Sequence, residues 1–89
     1  MKSVTTSNFW KLYDALPKEM QQRADRAYKL WQLNPQAHSL NFKRVGKRQS
    51  IYSVRIGRGY RALGLLEDKI IIWFWIGSHD DYDRMLRHL

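Results

Sequence analysis

The apolar run Ile70–Ile76 constrains the fold most, because seven consecutive residues carry no polar side chain. A strand without a polar face fits a sheet position that is covered on both sides. We therefore expect this strand at the centre of the sheet. Two β-branched and aromatic-rich runs precede it and predict two more antiparallel strands: Ile51–Ile56 and Tyr60–Leu66, separated by Gly57-Arg58-Gly59 and followed by a turn at Glu67-Asp68.

The turn lengths predict which side chains meet at one edge of this sheet. If Gly57-Arg58-Gly59 is a three-residue loop, Arg55 lies directly opposite Arg61, and both project from the same face. The last strand ends level with this loop and brings His79 to the same edge. Like charges opposite each other destabilise a sheet unless an anion lies between them. The pattern therefore predicts a phosphate-sized anion site beside a titratable imidazole.

The remaining elements complete an α+β fold in a single domain, residues 1–89. We expect a two-helix hairpin on one face of a three- to four-stranded antiparallel sheet, with a short C-terminal helix. Periodicity, capping residues and prolines predict the individual elements: a weak edge strand at Lys2–Thr6, a helix over Asn8–Leu16, a second helix between Pro17 and Asn34-Pro35, a first sheet strand at Leu40–Val45, and a helix over Asp80–His88 capped by Ser78.

Charge indicates a polyanionic partner without choosing among nucleic acid, an anionic surface and an acidic protein. The formal charge of the 89 residues is +8, and no acidic residue lies between Asn41 and Arg61. That segment holds seven basic residues: Lys43, Arg44, Lys47, Arg48, Arg55, Arg58 and Arg61.

Cysteine is absent, which excludes a disulfide framework and a thiolate zinc site. The N-terminal residues lack the apolar segment of a signal peptide, and a seven-residue apolar run is too short to span a bilayer. We expect a cytoplasmic protein that does not interact with membranes. The carboxylates near His79 lack a second histidine at ligand spacing, so no metal and no cofactor are expected.

Several motifs taken together resemble the RelE/ParE superfamily of bacterial toxins, over nearly the whole chain. They are Leu-Pro between two helices, Asn-Pro after the second, Ser-Leu-x-Phe-Lys at residues 39–43, Tyr-Ser-Val-Arg-Ile-Gly-Arg-Gly-Tyr-Arg-Ala at 52–62, and Trp-Ile-Gly-Ser-His-x-x-Tyr-Asp at 75–83. The resemblance implies a microbial-ribonuclease-like fold and the toxin role in a type II toxin–antitoxin pair. Members of one branch cut messenger RNA in the ribosomal 30S A site. Members of the other poison DNA gyrase without nuclease chemistry.

The resemblance also implies roles for individual residues. Arg61 matches a transition-state-stabilising arginine of the RNA-cutting branch, and Arg55 and His79 match basic positions of its site. Tyr82 is similar to a tyrosine that stacks on a base or assists proton transfer. Ser53 departs from the pattern, because some ribosome-dependent members carry a lysine there. The other basic residues are candidate RNA contacts: Lys43, Arg44, Lys47, Arg48 and Arg58.

Each of these assignments has a structural alternative. Arg55 and Arg61 could pair with carboxylates of Asp80, Asp81 or Asp83. His79 could merely bond the start of the last helix, and Tyr82 could be a core residue.

The function that the resemblance and the predicted anion site favour is a ribosome-dependent messenger-RNA endonuclease that a cognate antitoxin inhibits. The alternatives are a gyrase inhibitor and a non-catalytic protein that only binds an antitoxin.

Overall fold

A computed structural model describes all 89 residues and confirms the α+β class. Its three helices and five strands follow in the order β1 (Lys2–Thr5), α1 (Ser7–Asp14), α2 (Lys18–Leu33), β2 (Lys43–Arg44), β3 (Ile51–Ile56), β4 (Tyr60–Glu67), β5 (Ile70–Ser78) and α3 (His79–Arg87). None of the helices has both the length and the apolar character needed to cross a membrane.

The five strands form one sheet in the order β1-β5-β4-β3-β2. Strand β1 pairs with β5 in parallel, and the other neighbours are antiparallel. The predicted N-terminal edge strand therefore joins the main sheet and raises its strand number from three or four to five. The prediction that Ile70–Ile76 is the central strand is wrong: β1 covers the outer edge of β5, so β4 takes the middle position.

A bulge in β5 explains why its apolar run shows no alternation. Leu63 pairs with Trp75, but the next residue of β4, Gly64, pairs with Trp73, so Phe74 is an extra residue. The bulge reverses the side-chain alternation, and Trp73 and Ile76 share one face while Trp75 points to the other. Both faces of β5 are therefore covered, as the sequence indicated.

Helices α1 and α2 pack on one face of the sheet, and α3 packs on the other. Trp31 of α2 anchors the first face with a side chain only 1% exposed. Its ring centre lies 5.4 Å from that of Trp73 and 5.8 Å from that of Phe42, both edge-to-face. The smaller cluster on the other face consists of Ile51, Leu63, Trp75 and Tyr82.

Two sequence predictions about chain segments need correction. The predicted strand Leu40–Val45 shrinks to Lys43–Arg44, because Leu40 ends a short 3₁₀ turn and Asn41 adopts a left-handed φ of 44°. Leu40 is 2% exposed, so its apolar character serves the core and not strand alternation. The second turn lies at Asp68-Lys69 and not Glu67-Asp68, with φ values of 50° and 65°, as a two-residue type I′ hairpin loop requires.

We expect Gly64→Ala to destabilise the fold by about 1–3 kcal/mol, because overpacking a filled core forces side chains to shift. A Cβ atom at Gly64 would lie 2.6 Å from Cγ2 of Ile71 and 2.8 Å from Cε3 of Trp73. Gly59→Ala is the matched control, since nothing lies within 4 Å of a Cβ there. Urea unfolding of both variants measures the difference, and equal free energies of unfolding would show that the bulge region is loosely packed.

Candidate active site

The β3–β4 hairpin and the end of β5 bring the predicted site residues to one edge of the sheet. Arg55 pairs with Arg61 across the three-residue turn, as the turn length predicted. Ser78 pairs with Tyr60, and the backbone N–H of His79 donates to the Gly59 carbonyl at 2.8 Å. The register therefore fixes Arg55, Arg61 and the start of α3 at the level of the turn.

Strand alternation decides the face from which the two arginines project. Val54, Ile56 and Ala62 are buried under α1 and α2. Because neighbouring residues of a strand point to opposite faces, Arg55 and Arg61 project from the face that carries α3. His79 is the first residue of α3 and therefore lies on the same side of the sheet.

Arg61 is partly buried and is held by the turn beside it. Its Nη1 donates to the Tyr60 carbonyl at 2.8 Å, with longer contacts to the carbonyls of Arg58 (3.4 Å) and Gly57 (3.5 Å). The guanidinium carbon lies 5.9 Å from the centre of the Tyr82 ring, in cation–π range. Burial and the neighbouring Arg55 charge hold the pKa of Arg61 below its usual range. Tyr82 and Asp83 act in the opposite direction on this pKa, but burial and Arg55 outweigh them.

Neither arginine of this pair has a carboxylate partner. The three ion pairs of the protein join Arg23 to Glu19, His79 to Asp83, and Arg84 to Asp81. The structure thus contradicts the alternative in which Arg55 and Arg61 are neutralised by aspartates of α3. An anion is the species that would offset two arginines at directly paired strand positions.

The imidazole of His79 is half exposed and held from within α3. Its Nδ1 lies 3.2 Å from Oδ2 of Asp83, one helical turn later. A carboxylate only accepts hydrogen bonds, so the neutral imidazole carries its hydrogen on Nδ1 and leaves Nε2 free to accept a proton. This contact lies within α3, one turn after its first residue, and it leaves one ring nitrogen available.

Tyr82 lies in the core and is 7% exposed. It packs with Ile51, Leu63 and Trp75, which agrees with the alternative that Tyr82 is a core residue. Its ring packs beneath the Arg61 guanidinium, on the core side, and the ring centres of Tyr82 and His79 are 5.9 Å apart. Tyr82 therefore supports the two groups that face solvent.

The five predicted RNA contacts do not form one patch. Arg58 lies in the turn beside the arginine pair, and Lys43 pairs with Ser53 on the same face as Arg55. Arg44 points to the opposite face, and its Nε donates to the Gly46 carbonyl at 3.0 Å. Lys47 and Arg48 lie in the loop before β3, about 17 Å along the strand from the turn at its far end.

Three potential metal ligands meet at the start of α3. Nδ1 or Nε2 of His79 and carboxylate oxygens of Asp80 and Asp83 lie within 4.8 Å of one another. Acidic residues are also what the positive end of a helix dipole favours, so the cluster needs no ion to explain it. The metal-free chemistry expected from the sequence stays a prediction.

Sequence reasoning missed two arginines of α2. Arg23 and Arg26 line a cleft together with Arg55 and Arg58. They are spaced three residues apart and therefore share a helix face. That spacing was visible in the sequence, but nothing in it indicated that this face of α2 lies beside the β3–β4 turn.

The fold and the family comparison together define the class of protein: a ParE-like toxin domain. The chain belongs to the ParE-like toxin domain family, whose model matches residues 18–84. The RelE/ParE resemblance of its sequence motifs is thereby confirmed. No curated protein matches the sequence.

Solved structures share the fold at low sequence identity. The toxin–antitoxin complex RelB-RelE from Methanococcus jannaschii contains a chain with a TM-score of 0.73 and 18% identity, covering 91% of this chain and 96% of that one. YafQ from E. coli strain BL21(DE3) has a TM-score of 0.73 at 12% identity, with the same coverage. The YoeB/ParE toxin from Agrobacterium tumefaciens has 0.69 at 16%, covering 89% and 99%.

Proposed function

We propose that this toxin cleaves messenger RNA on the ribosome, in the A site, without a metal ion. The observation that carries the proposal is the pairing of Arg55 with Arg61 across β3 and β4, with no carboxylate within 4 Å of either side chain, at the sheet edge that also carries His79. Two guanidinium groups can bind a phosphodiester, and an imidazole at the same edge can transfer a proton during its cleavage.

In this mechanism the substrate supplies its own nucleophile. The 2′-hydroxyl oxygen attacks the adjacent phosphorus, the bond from phosphorus to the 5′-oxygen breaks, and the products are a 2′,3′-cyclic phosphate and a 5′-hydroxyl. His79 moves a proton, as the base toward the 2′-hydroxyl or as the acid toward the leaving oxygen. Arg55 and Arg61 stabilise the charge that develops on the phosphorane oxygens. Tyr82 positions Arg61 from the core.

The proposed inhibitor is a cognate antitoxin with an acidic or amphipathic segment. Three structural neighbours are RelB–RelE-type complexes of an antitoxin with its toxin, from Methanococcus jannaschii, Pyrococcus horikoshii and Mycobacterium tuberculosis. The formal charge of +8 supports an acidic segment that covers the arginine edge. A short acidic reading frame next to the gene would supply the candidate for co-purification.

A purified translation system tests the nuclease proposal. Wild-type protein is added to ribosomes that translate a defined transcript, and the 5′ ends of the RNA fragments are mapped. Cuts within A-site codons support the proposal. Intact transcripts together with toxicity in growing cells would refute it.

The second candidate function is gyrase inhibition, favoured by the ParE-like family match. In that case His79 and Arg61 would not be needed as chemical groups. A supercoiling assay with purified DNA gyrase distinguishes the two functions, because only a gyrase poison accumulates cleaved enzyme–DNA complexes. Harmless expression with retained antitoxin binding would instead indicate the non-catalytic alternative.

Asp83 should act as a positioning residue for His79. We expect Asp83→Asn to slow cleavage by about tenfold, because it removes a charge-assisted hydrogen bond that is half exposed. Nitrogen-15 NMR of the free protein should show at the same time that neutral His79 loses its preference for hydrogen on Nδ1. Asp80→Asn is the matched control, since Asp80 makes no ion pair with His79. An unchanged tautomer in Asp83→Asn would contradict this role.

A further inference from the structure

A cleft between α2 and the β3–β4 turn holds an unusual concentration of arginine. Its volume is about 630 Å³, and it opens to solvent. Four of its nine lining residues are arginines and none is acidic: Arg23, Arg26, Arg55 and Arg58. The rest of the lining is small, apolar or hydroxylic and includes Ala27 and Leu30.

Arg23 is seated against the backbone of the turn. Gly57 has a φ of 63°, and a Cβ atom at that position would lie 3.1 Å from Nη1 of Arg23. The bare glycine therefore lets the guanidinium rest on the turn. Its single carboxylate partner, Glu19, is 3.4 Å away and exposed, and such pairs contribute little.

The other three arginines of the cleft have no carboxylate within 4 Å. Guanidinium groups that crowd one concave surface repel each other and attract anions, since the surrounding low-dielectric walls concentrate their field. The cleft is therefore charged for a ligand with several negative groups and not for one ion alone.

The cleft continues from the candidate active site around the edge of the sheet. Arg55 belongs to both, because it lines the cleft and pairs with Arg61. Strand β2 pairs with β3 only as far as Ser53, so no strand pairs with Arg55 on the side away from β4.

We infer that the cleft binds the phosphates of the RNA strand that flank the scissile link. The inference rests on the proposed function, which places a phosphodiester between Arg55 and Arg61. A strand held there supplies its next phosphates to the adjacent arginines without a second ligand, whereas an acidic peptide would have to bind separately. The planar guanidinium fork also matches phosphate in bidentate geometry.

The test compares two double variants of α2 with equal loss of charge. Arg23→Gln/Arg26→Gln alters the cleft, and Lys18→Gln/Lys29→Gln alters exposed residues of the same helix that do not line it. The probe is a fluorescent 2′-O-methyl RNA 12-mer, which the proposed chemistry cannot cut, and binding is measured over a range of salt concentrations. A 2′-O-methyl dinucleotide and polyglutamate serve as the second and third probes.

We expect the arginine variant to bind the 12-mer about tenfold more weakly, with a salt slope lower by about 0.7 for each lost phosphate contact. The lysine variant should stay within about twofold of wild type. Both variants should bind the dinucleotide like wild type, because it spans a single phosphodiester, which the proposal places between Arg55 and Arg61 and not at Arg23 or Arg26.

Two results would overturn the inference. Equal losses in both variants would show that only the overall charge matters. A weakened affinity for polyglutamate with unchanged affinity for the 12-mer would assign the cleft to an acidic protein. These binding outcomes are independent of cleavage. If the protein fails to cut messenger RNA but passes the binding test, the nuclease proposal is refuted and the cleft is still an RNA-phosphate site.

Discussion

Replacing His79 with glutamine is expected to slow messenger-RNA cleavage on the ribosome by about 10²- to 10⁴-fold, the usual contribution of a positioned acid or base. Glutamine keeps the polarity and approximate length of the side chain but cannot move a proton at neutral pH. The rate is measured as the appearance of A-site fragments under single-turnover conditions, with toxin in excess over programmed ribosomes.

His88→Gln is the matched control for this prediction. His88 lies at the C-terminal end of α3 and is exposed, so its replacement should leave the cleavage rate within about twofold of wild type. Equal rates for wild type and His79→Gln would remove the imidazole from the chemistry. That result would favour gyrase inhibition, since this function needs no proton transfer.

Replacing Arg61 with glutamine is expected to slow the same cleavage by about 10²- to 10³-fold, as the loss of one preorganised donor does. Arg61 is the partly buried member of the arginine pair, and contacts with the turn carbonyls and the Tyr82 ring hold it in place. Arg61→Lys should recover part of the loss, because it keeps the charge but not the bidentate fork.

Arg84→Gln serves as the control, because Arg84 is an exposed arginine of α3 that pairs with Asp81. Urea unfolding of Arg61→Gln must accompany the kinetics, since Arg61 also bonds the turn. Wild-type cleavage by a folded Arg61→Gln protein would contradict the assigned role. A slow but equally stable variant is what the geometry predicts.

Local patterns were sufficient to predict much of the fold. Ser78 caps α3 as predicted, accepting from the backbone N–H group of Asp81 at 3.2 Å. The glycine-flanked turn predicted the register of Arg55 against Arg61. These features depend on residues close together in the chain, and local sequence determines them.

The sequence did not predict the features that depend on distant parts of the chain. The parallel pairing of Lys2–Thr5 with β5 joins residues about seventy positions apart, and no local pattern specifies it. The bulge at Phe74 left no polar residue that would mark it. Leu40 looked like a strand residue because burial in a core and alternation in a strand produce the same short apolar signal.

The candidate site shows the same division. Counting through the first turn placed Arg55 opposite Arg61. The direction of the last strand was enough to bring His79 to the same edge, although the second turn was misplaced by one residue and the bulge was not predicted. The orientation of α2 over that edge depends on packing of Trp31 and its neighbours, so Arg23 and Arg26 could not be predicted. The distance of Lys47 and Arg48 from the site, by contrast, follows from the sequence, because the predicted strand Ile51–Ile56 separates their loop from the turn.

In the proposed mechanism Arg55 and Arg61 bind the phosphodiester, its own 2′-hydroxyl attacks the phosphorus, and His79 transfers a proton. A messenger RNA with a single 2′-deoxynucleotide on the 5′ side of the A-site cut tests this claim most directly. We expect the cut to vanish at that bond while cuts at unmodified codons continue at the normal rate. Cleavage at an undiminished rate across the deoxynucleotide would contradict it.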